Sequence, residues 1–155
     1  MKKFTTMLLL IVALASFAVA ADKPNFSGEW KINIDKSNFG PMPPPSSMTR
    51  KVAHEDPSLT IDEAQSGAQG DMKTTSKYTT DGKESTNEMM GQPVKGTAAW
   101  DGKKLVITRK ADFGGNEIKI VNTWSLSDDG KETTDLMHIV SPQGEFDITF
   151  VLSKQ

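Results

Sequence analysis

From Trp100 to Leu152 apolar residues recur at every second position, and the alternation stops only where a glycine-bearing turn intervenes. The clearest run is Phe146, Ile148, Phe150 and Leu152, separated by Asp147, Thr149 and Val151, which is the period of a strand with one buried face. Ile118, Ile120, Trp124 and Leu126 hold one phase in the stretch before it, and near the N-terminus Trp30, Ile32 and Ile34 alternate in the same way. Such segments, joined by short turns, predict an all-β chain, an antiparallel up-and-down β-barrel of about 8–10 strands.

Turn length decides which residues face the inside, because a slip of one residue exchanges the two faces of a strand. In Ser127-Asp128-Asp129-Gly130-Lys131 the residue types suit a three-residue bulged loop, which sets Trp124 opposite Thr134 and Asn122 opposite Leu136. Ser141-Pro142-Gln143-Gly144-Glu145 suits the same loop and sets His138 opposite Ile148. Both registers place Asn122, Trp124, Leu136, His138 and Phe150 on the inner face and leave Met137, Ile139 and Val151 outside or at an edge. A two-residue Asp129-Gly130 loop would instead bring Met137 and Ile139 inward.

Further turns are expected at Asp56-Pro57, Thr80-Asp81-Gly82-Lys83, Trp100-Asp101-Gly102-Lys103 and Phe113-Gly114-Gly115-Asn116. The third of these pairs Ala98 with Leu105, Gly96 with Ile107 and Val94 with Arg109, so small residues stand on the inner face, where they leave room for a bulky neighbour or a ligand. Between the first two strands, Gly40-Pro41-Met42-Pro43-Pro44-Pro45-Ser46-Ser47 is a stiff extended loop, because proline fixes φ and lacks a donor. It is read as a spacer covering an edge, with a lid over the barrel mouth as the second reading.

The Gly28-x-Trp30 pair opening the first strand resembles lipocalins, in which the glycine permits a sharp entry and the tryptophan closes the barrel floor. The chain is also similar to bacterial secreted lipocalin-like (calycin-type) proteins through Asp56-Pro57-x-Leu59-Thr60-Ile61, Thr80-Asp81-Gly82-Lys83 and Trp124-x-Leu126-Ser127-Asp128-Asp129-Gly130-Lys131. The resemblance implies a barrel whose interior holds a small apolar molecule. No helical pattern follows the last strand and no disulfide is available, so family roles carry over only to Gly28 and Trp30.

Lys2 and Lys3 precede an apolar run from Met7 to Val19, and Ala18-Val19-Ala20 has the small-x-small form of a cleavage site. Residues 1 to 20 are therefore expected to be a signal peptide, residues 21 to 155 a single barrel domain, and the protein periplasmic or extracellular. Without Lys2 and Lys3 the chain has 16 basic residues against 20 acidic ones, a formal charge of −4, which argues against nucleic acid and anionic membranes as partners. The absence of cysteine excludes a cysteine-lipidated bacterial lipoprotein, disulfides, thiol catalysis and cysteine-based metal sites.

Chemistry in the chain is sparse. His54 and His138 are the two histidines, without metal-ligand spacing, and no Gly-x-Ser-x-Gly elbow is present, so neither a metal, a cofactor nor a catalytic residue is assigned. The expected ligand-binding residues are Arg109, Asn122, His138, Trp124, Leu136 and Phe150. His138 is read either as a core histidine bonded to Asn122 or a backbone carbonyl, or as a ligand contact, with haem ligation a distant third. Arg109 either reaches solvent at the rim or points inward and takes a carboxylate. The expected function is non-catalytic binding of a small hydrophobic or amphipathic molecule; the alternative is a structural or protein-interaction barrel filled by its own side chains.

Overall fold

The computed structural model describes residues 22–68 and 70–155; the expected signal peptide, residues 1 to 20, lies outside the described residues. Ten strands follow one another along the chain: β1 (Gly28–Ile32), β2 (Ser47–Glu55), β3 (Ser58–Gly67), β4 (Gly70–Thr79), β5 (Asp81–Met89), β6 (Gln92–Asp101), β7 (Lys104–Phe113), β8 (Asn116–Leu126), β9 (Glu132–Ser141) and β10 (Gly144–Lys154). They form one antiparallel sheet in the order β4-β3-β2-β1-β10-β9-β8-β7-β6-β5, with β1 and β10 paired in the middle. Curling brings the two ends of this sheet, β4 and β5, beside each other, and the result is a nearly closed up-and-down barrel of the expected class.

The alternation does its work most cleanly in β2, where Met48, Arg50, Val52 and His54 are buried and every residue between them is exposed. Core side chains from Phe26, Trp30, Leu59, Leu105, Trp124 and Leu152 pack at one end of the interior. Phe26, fully buried, plugs this end: its ring stacks on Trp100 at 6.2 Å and meets Trp124 edge-on at 5.6 Å. Its carbonyl accepts from Trp30 Nε1 at 3.0 Å, which ties the buried Trp30 to the plug at this end. Gly28 has φ +143°, a backbone that an L side chain rarely adopts, and it turns the chain from the Phe26 plug into β1.

Several registers differ from expectation. The β8–β9 loop is one residue longer than expected: Ser127 N donates to Glu132 O at 2.9 Å, and Asp129 Oδ1 holds the extra residue by accepting from Lys131 N at 3.0 Å. The β9–β10 turn is one residue shorter, with Ser141 opposite Gly144. Asn122 therefore faces Met137, Trp124 faces Asp135, and Met137 faces Ile148. The two departures cancel for β8 and β10, which keep their expected faces, and invert β9. Asp135, Met137 and Ile139 look inward; Leu136 and His138, expected inside, stand on the outer face. Val151 is outward as expected, yet buried, because residues 33–37 bulge over it and Ser37 Oγ accepts from its amide at 3.0 Å.

The β6–β7 turn lies one residue further along, at Gly102-Lys103, which shifts the register by two and so preserves faces: Gly96 pairs with Arg109 and Ala98 with Ile107. Ile34 is 40% exposed because the chain leaves the β1 ladder after Ile32, and the pairing beside β10 resumes at Asn38, opposite Thr149. Thr80-Asp81-Gly82-Lys83 turns the chain but makes no hairpin: no backbone ladder joins β4 to β5 among the described residues. The cause lies at the corner, where Thr80 N donates to Pro57 O at 2.8 Å and β5 departs toward β6.

Candidate ligand-binding cavity

The half of the barrel away from Phe26 is open. A cavity of about 290 Å³ lies there, near the lower end of the ~300–1,000 Å³ range of small-molecule sites. Its walls are mostly apolar: Ile61, Val94, Ile107, Ile120, Ile148 and Phe150. Phe39 folds from the β1–β2 loop onto Phe150 with ring centroids 5.9 Å apart, and Met42, Pro43 and Pro45 complete that side of the mouth. The proline-rich loop is thus a wall of the cavity. A second pocket of about 450 Å³ lies against β1–β4, lined by the inward Trp30, Arg50 and Glu63 and by the outward Glu29, Lys51 and Asp62, of which Glu29 pairs with Lys51 and Asp62 accepts from Thr75.

A polar chain crosses the barrel under the cavity and forms its floor. Arg50 on β2 contacts Glu63 of β3 through Nε at 2.9 Å and Nη2 at 2.8 Å, and its Nη2 lies 3.0 Å from Asp135 Oδ2 on β9. Burial alone would depress the Arg50 pKa; Glu63 and Asp135 outweigh that and hold it above the ordinary value. Its guanidinium carbon sits 4.7 Å over the Trp124 ring. Asp135 Oδ1 accepts from Asn122 Nδ2 at 2.8 Å, which turns the Asn122 carbonyl to Arg109 Nη2 at 2.7 Å.

Arg109 differs from Arg50 in one respect. Among the described residues it forms no ion pair; its partners are Asn122 Oδ1 and, at 3.9 Å, the Met137 sulfur. Its Nε is buried without an acceptor. Tyr78 on β4 stands beside it, its hydroxyl within reach of Ser76 and Asn87; burial raises the phenol's pKa, and the positive charge of Arg109 opposes part of that rise. Gly96 makes the juxtaposition possible, since a Cβ there would lie 3.0 Å from Tyr78 Cε1 and 3.0 Å from Thr108 O. The arrangement can receive an anionic or hydrogen-bond-accepting group at the foot of an apolar chamber.

Of the residues singled out from sequence, Arg109, Asn122, Trp124 and Phe150 line this cavity together. His138 and Leu136 do not: His138 Nδ1 is 2.6 Å from Asp147 Oδ1 across the outer face of β9 and β10, and Leu136 is 43% exposed. Arg50, Glu63, Tyr78 and Asp135 escaped sequence reasoning. Arg50 was detectable, because it shares the phase of Met48 and Val52.

No protein-family model matches the chain, and a search of curated proteins finds no match. Solved structures do match. The zebrafish ileal bile acid-binding protein complexed with cholic acid superposes with a TM-score of 0.60 at 20% identity, covering 84% of this chain and 98% of that one. The secretory abundant heat soluble protein 4 of Ramazzottius varieornatus gives 0.56 at 16% identity over 84% and 94%. A Schistosoma mansoni fatty acid binding protein in complex with arachidonic acid gives 0.50 at 13% identity over 84% and 96%. At these identities the likeness shows the fold alone: the chain shares with these structures an antiparallel up-and-down β-barrel.

Proposed function

We propose that the protein binds, without catalysis, a small amphipathic molecule whose apolar body fills the cavity and whose anionic end rests on Arg109 with the Tyr78 hydroxyl alongside. The observation that carries this reading is Arg109 itself, a cation facing an apolar chamber with no carboxylate partner among the described residues and a buried Nε awaiting an acceptor. Two barrels of the same fold hold cholic acid and arachidonic acid, both acids with apolar bodies. Apolar burial at about 25 cal/mol per Å² supplies most of the affinity before association costs, and Arg109 sets orientation. The alternative, a barrel filled by its own side chains, is disfavoured by the open upper half. Titration of a fluorescent fatty-acid probe tests the proposal: saturable uptake is expected, weakened in Arg109→Ala by roughly 1.5 to 3 kcal/mol, on the order of ten- to a hundredfold. Absence of saturable uptake by the wild type overturns it.

We further propose that residues 1 to 20 direct export and that this binding takes place in the periplasm or outside the cell, on the Lys2-Lys3, apolar-run and Ala18-Val19-Ala20 pattern. N-terminal sequencing of protein recovered from those compartments should begin at Ala21 or Asp22; recovery beginning at Met1 overturns it.

A further inference from the structure

Three thioethers stand at the mouth of the cavity. Met42 projects from the proline-rich loop, Met72 from β4 and Met89 from β5, so that the last two stand on either side of the β4–β5 opening, and all three line the cavity. Met42 is 45% exposed and Met72 41%, both high for large apolar side chains, and Met89 is half-buried. Three other methionines mark the limits of this environment: Met48, 1% exposed, lies in the packed core; Met137, partly buried, lines the cavity at depth beside Arg109; and Met90, 74% exposed, sits on the β5–β6 turn and does not line the cavity. The chain has no cysteine, so thioethers are its only sulfur atoms.

We propose that Met42, Met72 and Met89 form an oxidisable collar, a modification site for peroxide-type oxidants, whose conversion to sulfoxides suppresses uptake of apolar ligand bodies. In the reaction a sulfur lone pair attacks one peroxide oxygen and the O–O bond breaks. The sulfur, oxidised by two electrons, keeps that oxygen, and the peroxide is reduced to water. Each step converts an apolar side chain of the mouth into a strongly polar one. A ligand body passing through or resting there must then desolvate that dipole, for which the side chains of Phe39, Pro43 and Pro45 offer no donor; Gln65, the cross-strand partner of Met72, is the lining donor beside position 72. Access sets the order of reaction: Met90 and the collar oxidise early, Met48 late.

The inference rests on the cavity being the binding site, and one experiment separates the two. The purified wild type and a Met42→Leu/Met72→Leu/Met89→Leu variant are each titrated with a fluorescent fatty-acid probe before and after hydrogen peroxide, with sulfoxides located by peptide mass spectrometry. Each protein serves as its own reference. Treatment should weaken wild-type binding about fivefold or more and leave the ratio for the leucine variant near one, although Met90 is oxidised in both. Wild type carrying sulfoxides at positions 42, 72 and 89 with unchanged affinity overturns the collar alone, as does equal loss in both proteins. Untreated wild type without saturable uptake overturns the binding reading and the collar with it.

Discussion

The side chain of Asn87 on β5 bonds the backbone of Lys77 on β4 in both directions, Oδ1 accepting from Lys77 N at 2.7 Å and Nδ2 donating to Lys77 O at 3.1 Å. A carboxamide thus takes the place of a peptide group and makes one rung of the kind that a β4–β5 ladder would have supplied along its length. The barrel is closed at this seam by a side chain rather than by a strand. Asn87→Ala should expose the Lys77 amide and cost about 1 to 2 kcal/mol; faster hydrogen exchange at Lys77, with the rest of β4 unchanged, is the expected reading.

Removing Arg50 leaves Glu63 and Asp135 facing each other beneath the cavity without a counter-ion. Arg50→Met keeps much of the volume and should destabilise the fold by about 3 to 5 kcal/mol in urea unfolding. A loss below about 1 kcal/mol contradicts the role assigned to this ion pair.

Gly96→Ala tests the crowding around Arg109 and Tyr78. The added methyl group meets backbone at Thr108 O and a ring at Tyr78, neither of which yields readily, so a cost of about 1 to 3 kcal/mol is expected in thermal or urea unfolding. Probe affinity should fall as well, because the same methyl group displaces the Arg109 stem.

Asp56 at the β2–β3 turn accepts from Thr80 Oγ1, from Trp100 Nε1 at 3.0 Å and from Lys23 Nζ at 3.2 Å, and the first of these does most to hold its carboxyl well below the ordinary 3.8. A carboxyl with a depressed folded-state pKa contributes stability above its unfolded value and loses it as pH falls toward the folded one. The stability difference between wild type and Asp56→Asn should therefore be constant above about pH 5 and shrink progressively below pH 4. A difference independent of pH down to pH 2 contradicts this.

His138 supplies a test of register. Its ring pairs with Asp147 on the outer face, so His138→Ala should leave probe affinity within about twofold of wild type while Arg109→Ala does not. Equal losses in the two variants would mean that β9 presents His138 to the ligand in solution.

The inner face was legible in sequence wherever a strand carried its own alternation. Phe146 to Leu152 and Ile118 to Leu126 needed no knowledge of their turns, and their faces stand as expected. In β9 the sequence Thr133-Thr134-Asp135-Leu136-Met137-His138-Ile139 alternates in neither phase, so its face depended wholly on loop length. There two side-chain acceptors, Asp129 Oδ1 for Lys131 N and Ser127 Oγ for Glu132 N, outweighed the preference of Gly130 for a shorter bulged loop. Asp135 had no reason to be placed inside until Arg50 and Asn122 were known to meet it across the barrel; buried charge is a property of the pair. Arg109 and Asn122 were found because their strands alternate, and Tyr78 was missed because β4 is polar on both faces along most of its length.

The Glu63–Arg50–Asp135–Asn122–Arg109 chain has a consequence for how such a barrel diversifies. Below it, the Phe26 plug and the buried Trp30 hold the fold together without reference to any cargo; above it, side chains face empty space. Substitutions at Val94, Ile120 and Ile148, which line the cavity and stand outside the lower core cluster, change what fits without withdrawing contacts from that cluster, whereas Ile61, Ile107 and Trp124 belong to both and couple the two storeys. The molecule is a tool whose head is exchangeable only at the positions that do not reach into its handle.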